Sequence, residues 1–564
     1  MSKNLSQLAK RQGIENTLFQ QLVVGEHEQK HPSKEQRKAQ AQKFLVGEAI
    51  VQGAASFYDF IEGDNANKKA YVCNGSSCLC AGTQPNIIDK LSHAFGAENI
   101  GHVTCLGRCA ENSAFQISEN NYSGNDIADI DGIITNNSKS VDTPDNYHVA
   151  CMLAEPILTA SIDNVVQYYQ LFSELIQNDS PEEMLNKISD SGLRGRGGAG
   201  FPTGFKWESA RKAKNNDGST EKYIVCNADE GDAGAYSDRY LLEQRPHAVL
   251  FGMLMAGYLV GANIGVLYIR NEYPAAITLT EKAISEFNEL SLKDNSGNDF
   301  IFTFKIIKGA GAYICGEETA LLRSIEGQRP LVSVRPPFPT QSGLFGCPTV
   351  LNNVETFASI HYILNNGVEK FKRLGNGKST GSKLISLDGS FNKPGIYEVA
   401  MGSALGDVFM LAGGFSKPLK ALHIGGPLGG VVPIDQVDNL TVDFESFAQA
   451  GFLLGHASVI GLGETLNLVE YIAHLFEFTA MESCGKCYPC QLGSVRGQEM
   501  LENAISGQQL IDKQLLDDLL ETMQLGSLCA LGGGVPLPIS NILTYFSDEI
   551  KPYFSPLKHK QEGV

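Results

Sequence analysis

Apolar and polar positions divide the chain into five stretches of different character. Residues 1–65 are polar and helix-prone, with Lys, Gln and Glu crowded over 28–43, which predicts a solvated helical arm or docking segment. In 66–140 an apolar strand at 69–73 leads into a cysteine loop, a helix near 87–95 and a second cysteine loop. The Asn-, Ser- and Asp-rich stretch 136–146 marks a linker. Across 150–370 helical runs alternate with short strands at 223–226 and 266–269, the pattern of mixed α/β layers. Residues 371–450 read as short strands, such as 383–387 and 395–399, separated by Gly-Gly and Pro turns, hence a small β-rich domain. Residues 451–564 are mostly helical, and no repeat is visible. The fold class expected is multidomain α/β.

One run tests whether the chain enters a membrane. Residues 248–269 contain no charge and are long enough to span a bilayer. Gly252, Gly257, Gly261 and Gly265 interrupt it, and 261–265 reads as a helix stop followed by a short strand, so a buried helix and strand are expected. With 45 Lys plus Arg against 63 Asp plus Glu, the formal net charge is −18, which argues against nucleic acid or an anionic membrane as main partner. No signal or transit pattern opens the chain, and a cytoplasmic location is expected.

The 13 cysteines choose the chemistry. Cys73 and Cys78, followed by Cys105 and Cys109, place two pairs on two loops that can clamp a 2Fe-2S cluster, with Cys80 as an alternative ligand to Cys78. Cys484, Cys487 and Cys490 stand at every third position and Cys529 arrives later, which suits three corners of a 4Fe-4S cube and a distant fourth. Structural zinc is the competing reading for both sets. Cys151, Cys226, Cys315 and Cys347 read as buried small hydrophobes.

The densest glycine run, 192–204, contains G-x-G-x-x-G from Gly195 to Gly200, but a helix rather than a strand is expected before it, so the ordinary dinucleotide fold is disfavoured. A loop of exposed N–H groups opening a helix near Thr203, beside Arg194, Arg196 and Lys206, remains a cradle for a nucleotide phosphate; a purely structural loop is the alternative. Acidic clusters at Asn227-Ala-Asp229-Glu230-Gly231-Asp232 and Gly316-Glu317-Glu318 read either as solvated turns or as holders of ribose, flavin edge and nicotinamide. Phe201, Phe338 and Arg335 are candidates to stack on or pair with the nucleotide. His27-Glu28-Gln-Lys-His31 matches H-E-x-x-H, yet it lacks an apolar helix face and Pro32 follows, so a zinc site is not expected there.

The runs Gly195–Gly204, Cys226–Gly231, Tyr313–Glu318, Pro336–Pro339, Asn352–Thr356 and Glu482–Cys487 resemble, in order, the signature of the NADH-binding flavoprotein subunits of respiratory complex I. The first cysteine set resembles the thioredoxin-like ferredoxin domain that precedes this flavoprotein in diaphorase subunits of soluble NAD-linked formate dehydrogenases and hydrogenases. The resemblance implies FMN against Gly195, Arg196, Gly197, Gly198 and Gly200. Around it would lie Lys206, Asn227, Asp229, Glu230, Asp232, Tyr313, Gly316, Glu317, Asn352, Asn353 and Thr356. NAD(H) would lie near Glu318, Phe201, Arg335 and Phe338, and hydride would pass directly to the flavin with no catalytic side chain, Glu318 and Asp232 standing nearby. It also implies a β-grasp domain over 371–450 and a cluster-bearing helical bundle after it. Gly231-Asp232 resembles the soluble branch, and Gly455-His456-Ala457 stands where Gly-Ser-Gly is common. The implied partners are a molybdenum or tungsten formate dehydrogenase subunit, or a nickel–iron hydrogenase subunit, and a small 2Fe-2S subunit supplying a helical bundle that the chain is expected to lack.

Overall fold

A computed structural model describes residues 3–10, 13–24, 33–136, 147–215, 218–294 and 296–556. Most of the expected linker and the H-E-x-x-H segment lie outside the described residues.

The first sheet is formed by β1 (Ala70–Cys73), β2 (Ile100–Val103), β3 (Phe115–Ile117) and β4 (Asn120–Tyr122), in the order β2-β1-β3-β4. β1 and β2 are parallel, so the connection between them crosses over through the helix Gln84–Phe95, which buries Ile87 and Leu91 on the sheet. Parallel pairing puts the carboxyl ends of β1 and β2 side by side. Cys73 ends one strand and Cys105 follows the other, so two cysteine loops distant in sequence emerge together.

After β5 (His148–Cys151) the chain builds a parallel sheet of β6 (Tyr223–Ala228), β7 (Ile264–Ile269), β8 (Thr303–Lys308) and β9 (Thr349–Asn353), ordered β8-β7-β6-β9. The uncharged run divides as expected into the helix Pro246–Val260, closed by Gly261 at φ 84°, and β7. The helix is buried because it crosses closely over its neighbour: a Cβ at Gly252 would stand 2.1 Å from the Phe357 carbonyl oxygen. Among the described residues no helix is long and apolar enough to cross a membrane. Winding runs outward from β6 toward β8 on one side and to β9 on the other. The carboxyl ends of β6 and β9 therefore flank a topological switch point, where open parallel sheets bind ligands.

The third sheet takes β10 (Ser382–Leu387), β11 (Gly395–Ala400), β12 (Leu419–Ile424), β13 (Gly430–Pro433) and β14 (Ser458–Gly463), ordered β13-β12-β14-β10-β11-β5. β14 lies past residue 450 yet occupies the middle of the sheet, and β5 adds an edge from the far side of the central layer, so the β-rich unit draws on more chain than the turn pattern marks. Helices Leu468–Glu482, Tyr488–Ile505, Lys513–Gly526 and Pro536–Tyr545 follow.

The amino-terminal segment differs from a solvated arm. The helix Lys34–Phe44 is largely exposed, but Leu18, Phe19, Leu22, Val51, Ala55 and Tyr58 are buried in one cluster with Tyr268, Ile307 and Leu321 of the central layer. Polar composition hid this face because the charged run over 28–43 separates its two apolar stretches, 18–24 and 49–61.

His423 on β12 is buried, with Nδ1 2.7 Å from the Tyr471 hydroxyl and Nε2 3.3 Å from the Gly429 carbonyl oxygen. Burial lowers its pKa from the ordinary 6.5 to about 4. The unfolded chain then binds a proton below pH 6.5 that the folded chain refuses, so this contribution is whole above 6.5 and is lost as pH falls toward 4, by up to about 3 kcal/mol. His423→Gln is expected to flatten the decline in denaturation midpoint between about pH 6.5 and 4; an unchanged slope would exclude His423 as its source.

Candidate functional site

The first cysteine set gathers as the topology requires. Cys73, Cys78, Cys105 and Cys109 are all buried, and Cys105 Sγ lies 3.7 Å from Cys109 Sγ. Backbone N–H groups of Gly107 and Gly234 point at Cys105 and Cys109 at 3.3 and 3.2 Å, stabilising charge on sulfur. Hydrogen bonds from the Cys109 and Cys73 thiols, with Arg270 nearby, hold Cys105 well below the usual thiol range, whereas Cys73 and Cys109 are pushed up. Cys78 stands within hydrogen-bonding reach of Cys73, whereas Cys80 lies near Asp388 and Lys417 as well as Cys78.

The second set forms around a helix start. Cys487 is the N-cap of Tyr488–Ile505 and is half-buried, while Cys484 and Cys490 are buried, and Ser483 Oγ lies 3.3 Å from Cys490 Sγ. Cys529 comes in from the turn before Ala530–Gly534, beside Glu317, Cys484 and Cys490. Gly532 makes room for Cys490: a Cβ there would stand 2.5 Å from Cys490 Cβ and 2.9 Å from its Sγ.

Between the two sets lies the switch point. At the end of β6, Asn227 donates from Nδ2 to the Gly316 carbonyl at 2.8 Å, and its Oδ1 accepts from the Asp229 N–H at 3.2 Å. At the end of β9, Asn352 Oδ1 accepts from Trp207 Nε1 at 2.9 Å, which fixes the fully buried tryptophan on the helix Thr203–Lys212. The glycine loop arrives from the helix Pro181–Asp190 and bends back on itself, with Gly192, Gly198 and Gly200 at positive φ and an isolated bridge from Arg194 to Pro202. Gly197 is held close, since a Cβ there would meet Asn353 Cβ at 3.1 Å. Lys206 Nζ donates to the Leu351 carbonyl at 3.0 Å and stands 3.6 Å from Glu318, and burial draws its pKa down. The Gly195 N–H donates back to the Phe201 carbonyl at 2.9 Å.

Arg196 differs from a phosphate ligand. It is fully buried, its guanidinium donates to the carbonyls of Ser382, Arg194 and Thr380 at 3.1, 2.9 and 2.6 Å, and its N–H donates to Thr356 Oγ1 at 2.9 Å. Its side chain therefore ties the loop to β10, and the buried Thr356 hydroxyl supports the loop from beneath. A basic residue in a glycine loop carries no sequence signal that distinguishes the two roles. The acidic segment after Ala312 is a 3-10 turn, Tyr313–Gly316, not a strand end. Glu317 caps the helix Glu318–Ile325 by accepting from Thr319 and Ala320 N–H at 2.9 and 3.0 Å.

Three acids in the crevice resist ionisation. Burial raises Asp229 well above the carboxylate range, Glu230 to about 7, and Asp232 above its ordinary value. Glu230 accepts from Asp238 and Arg239 N–H at 2.9 and 3.1 Å, so it organises the start of the helix Ser237–Gln244. Asp232 Oδ1 accepts the Tyr313 hydroxyl at 2.7 Å. Asp229 Oδ2 and Glu317 Oε1 are buried and accept no hydrogen bond. Orphaned acceptors beside glycine N–H groups fit a flavin nucleotide, whose ring and ribityl chain supply donors. Toward solvent, Phe201 and Phe338 are half exposed, and Arg335 pairs with Glu318 at 2.7 Å at the mouth. Gly231 admits Tyr313: a Cβ would stand 2.5 Å from its ring, so Gly231→Ala is expected to displace Tyr313 and weaken flavin retention about tenfold, and fluorescence of released flavin measures it.

Residues that sequence reasoning left without a role join these parts. Glu482 accepts the Thr104 hydroxyl at 2.8 Å and the Tyr313 N–H at 2.9 Å, two residues before Cys484. One carboxylate thus touches the first cysteine loop and the crevice and adjoins the second cysteine set. Arg270 donates to the Cys105 carbonyl at 2.6 Å, to the Glu230 carbonyl, and to Glu272 at 2.9 Å. Apart from Glu272, their partners lie far away in sequence, so spacing gives no sign of them.

Two cysteine cages flanking a nucleotide crevice define an electron-transferring flavoprotein. Sequence profiles match in the same places: the Nuo51 FMN-binding domain at 188–362, the NADH-ubiquinone oxidoreductase-F iron-sulfur binding region at 470–553, and the thioredoxin-like 2Fe-2S ferredoxin at 5–138. The chain is 41% identical over 380 residues to the NADP-reducing hydrogenase subunit HndC of Solidesulfovibrio fructosivorans, covering 66% of this chain and 76% of that one. It is 38% identical over 387 residues to an F-type chain of the NADH-quinone oxidoreductase of Rhizobium meliloti, covering 68% of this chain and 91% of that one. The crystal structure of an NAD+-reducing nickel–iron hydrogenase in its H2-reduced state has a chain that superposes with TM-score 0.82 at 28% identity, covering 96% of this chain and 94% of that one. The chain belongs to the family of NADH-binding, FMN- and iron-sulfur-containing flavoprotein subunits shared by complex I and NAD-linked hydrogenases, and is an oxidoreductase. The ferredoxin profile begins at residue 5, so the amino-terminal helices fall within it, which removes the reason to expect a separate small subunit to supply them.

Proposed function

We propose that the chain is the NAD(H)–FMN diaphorase subunit of a soluble, cytoplasmic NAD-linked formate dehydrogenase or hydrogenase. The observation that carries this reading is the convergence on Glu482, which puts the crevice within one carboxylate of both cysteine cages. When bound, FMN accepts hydride from NADH and passes electrons on singly to iron-sulfur clusters.

The chain's own residues bind and orient. Gly197, Gly198, Lys206, Asn227, Asp229, Asn352 and Asn353 would hold the flavin, and Phe201, Phe338, Arg335 and Glu318 would receive the dinucleotide from the solvent side. Cys73, Cys78, Cys105 and Cys109 would hold the 2Fe-2S cluster, and Cys484, Cys487, Cys490 and Cys529 the 4Fe-4S cluster. Burial raises the pKa values of the crevice acids, which reduces their opposition to a dinucleotide that is itself anionic. Tyr488, Leu492 and Val495 present an exposed apolar edge beside Cys487, which supports docking of an electron-exchanging subunit there.

The Gly231-Asp232 resemblance supports the soluble branch over complex I. A formate dehydrogenase partner is the reading carried from the sequence; a nickel–iron hydrogenase partner is favoured by the near full-length likeness to the hydrogenase chain. Metal analysis of the co-purified catalytic subunit decides: molybdenum or tungsten with formate-dependent NAD reduction supports the first, nickel with hydrogen-dependent reduction the second. Neither metal, with NADH oxidised only by a membrane quinone pathway, would overturn both.

A further inference from the structure

One buried polar cluster stands apart from the electron path. It lies where the turn before β14 meets the central layer. His456, 5% exposed, aims its imidazole at two carboxylates: Nε2 is 3.2 Å from Asp238 Oδ2 and Nδ1 is 3.8 Å from Glu230 Oε1. The same Asp238 Oδ2 accepts the Asn353 carboxamide N–H at 2.6 Å, and the carboxamide oxygen accepts the Glu355 N–H at 2.9 Å. Both ends of the Asn353 amide are thereby fixed.

The turn that delivers His456 is itself constrained. A Cβ at Gly455 would stand 2.4 Å from the Gly425 carbonyl oxygen, and Gly198 of the glycine loop packs beside Gly455, its own Cβ position 3.8 Å away. Ala457 adopts φ 64°, the left-handed region that a Cβ disfavours. The ligand atoms of Glu230, Asp238 and His456 lie within 4.8 Å of one another, but Asp238 Oδ2 already takes two donors, so the cluster is a hydrogen-bonded ion pair rather than a cation site.

We infer that His456 is a positioning residue of the flavin site, acting through Asp238 on Asn353, and that FMN is held tightly while the charged imidazolium pairs with Asp238. The inference rests on Asn353 contacting FMN, as proposed under the function. Around the imidazole stand Asp238, Glu230 and Asp232 of the central layer and Lys383 of β10. Burial opposes its charged form, but the pair with Asp238, assisted by Glu230, outweighs burial and the Lys383 repulsion and lifts its pKa from 6.5 to about 9. Above that pH the imidazole keeps one N–H but loses its charge, so Asp238 and Glu230 face each other without the imidazolium between them, and the clamp on Asn353 loosens.

The test uses the purified holoenzyme and free-flavin fluorescence in the ultrafiltrate between about pH 7 and 10, with cluster absorbance as the readout of folding. Wild type is expected to lose FMN through about pH 9. His456→Ala weakens FMN about tenfold or more near neutral pH, the order expected for losing a hydrogen bond to a charged group. His456→Gln supplies a neutral donor that does not titrate, so it holds FMN at every pH about as wild type does above about pH 9 and flattens the profile. Asn353→Ala weakens FMN at every pH. His456→Ala retaining FMN as wild type does, or His456→Gln keeping the wild-type profile, overturns the role of His456 while Asn353→Ala still supports the flavin assignment. Unchanged retention in Asn353→Ala removes that assignment and the inference with it.

Discussion

Replacing Cys487 with Ser leaves NADH-dependent flavin reduction at its wild-type rate and lowers electron delivery to a one-electron protein acceptor by about two orders of magnitude or more. The separation follows from the layout. Cys487 belongs to the helical region, at the N-cap of Tyr488–Ile505, whereas the glycine loop, β6 and β9 shape the crevice. Cys487 and Cys529 are the half-buried members of a set whose Cys484 and Cys490 are buried, and Cys487 adjoins the exposed Tyr488 and Leu492. A serine hydroxyl is a poor substitute for a thiolate as an iron ligand. Stopped-flow absorbance separates the two steps. Undiminished transfer to the acceptor would remove the second cysteine set from the electron path.

Arg270→Ala is expected to cost about 3–5 kcal/mol, the usual penalty for removing one partner of a buried ion pair. Arg270 is 4% exposed, and its loss leaves Glu272 without its cation, the Cys105 carbonyl without its donor and the Glu230 carbonyl with only the Tyr273 hydroxyl at 3.4 Å. Cys105, whose low pKa owes part of its depression to Arg270, is then less able to carry charge. Damage should appear first at the 2Fe-2S absorbance and only later at the 4Fe-4S signal as the temperature rises. Simultaneous loss of both signals at the wild-type temperature would contradict it. The crevice and first cage would then melt independently of Arg270.

Much of this was legible in the sequence, for a physical reason. Cluster ligands are fixed by short spacings, so Cys484-x-x-Cys487-x-x-Cys490 announces itself, and the profile over 470–553 agrees in place with that set. Glycine punctuation divided the uncharged run 248–269 correctly, because a left-handed cap at Gly261 stops a helix whatever surrounds it. What remained hidden depends on contacts distant along the chain. Arg196 looked like a phosphate ligand and is spent on β10; β14 looked like part of the helical region and completes the third sheet. Leu18, Phe19 and Val51 sit in a segment too polar on average to reveal an apolar face. Glu482 and Arg270 have partners on loops that only the fold assembles.

The central claim is that one chain connects a dinucleotide site to iron-sulfur clusters through a flavin. Anaerobic titration of the purified chain with NADH, following flavin absorbance and low-temperature electron paramagnetic resonance on samples of known flavin, iron and sulfide content, tests it most directly. The expected result is about one FMN and about six irons per chain, the sum of one 2Fe-2S and one 4Fe-4S cluster, with flavin bleaching followed by reduced-cluster signals. Zinc in place of iron, no flavin, and no spectral response to NADH would contradict it.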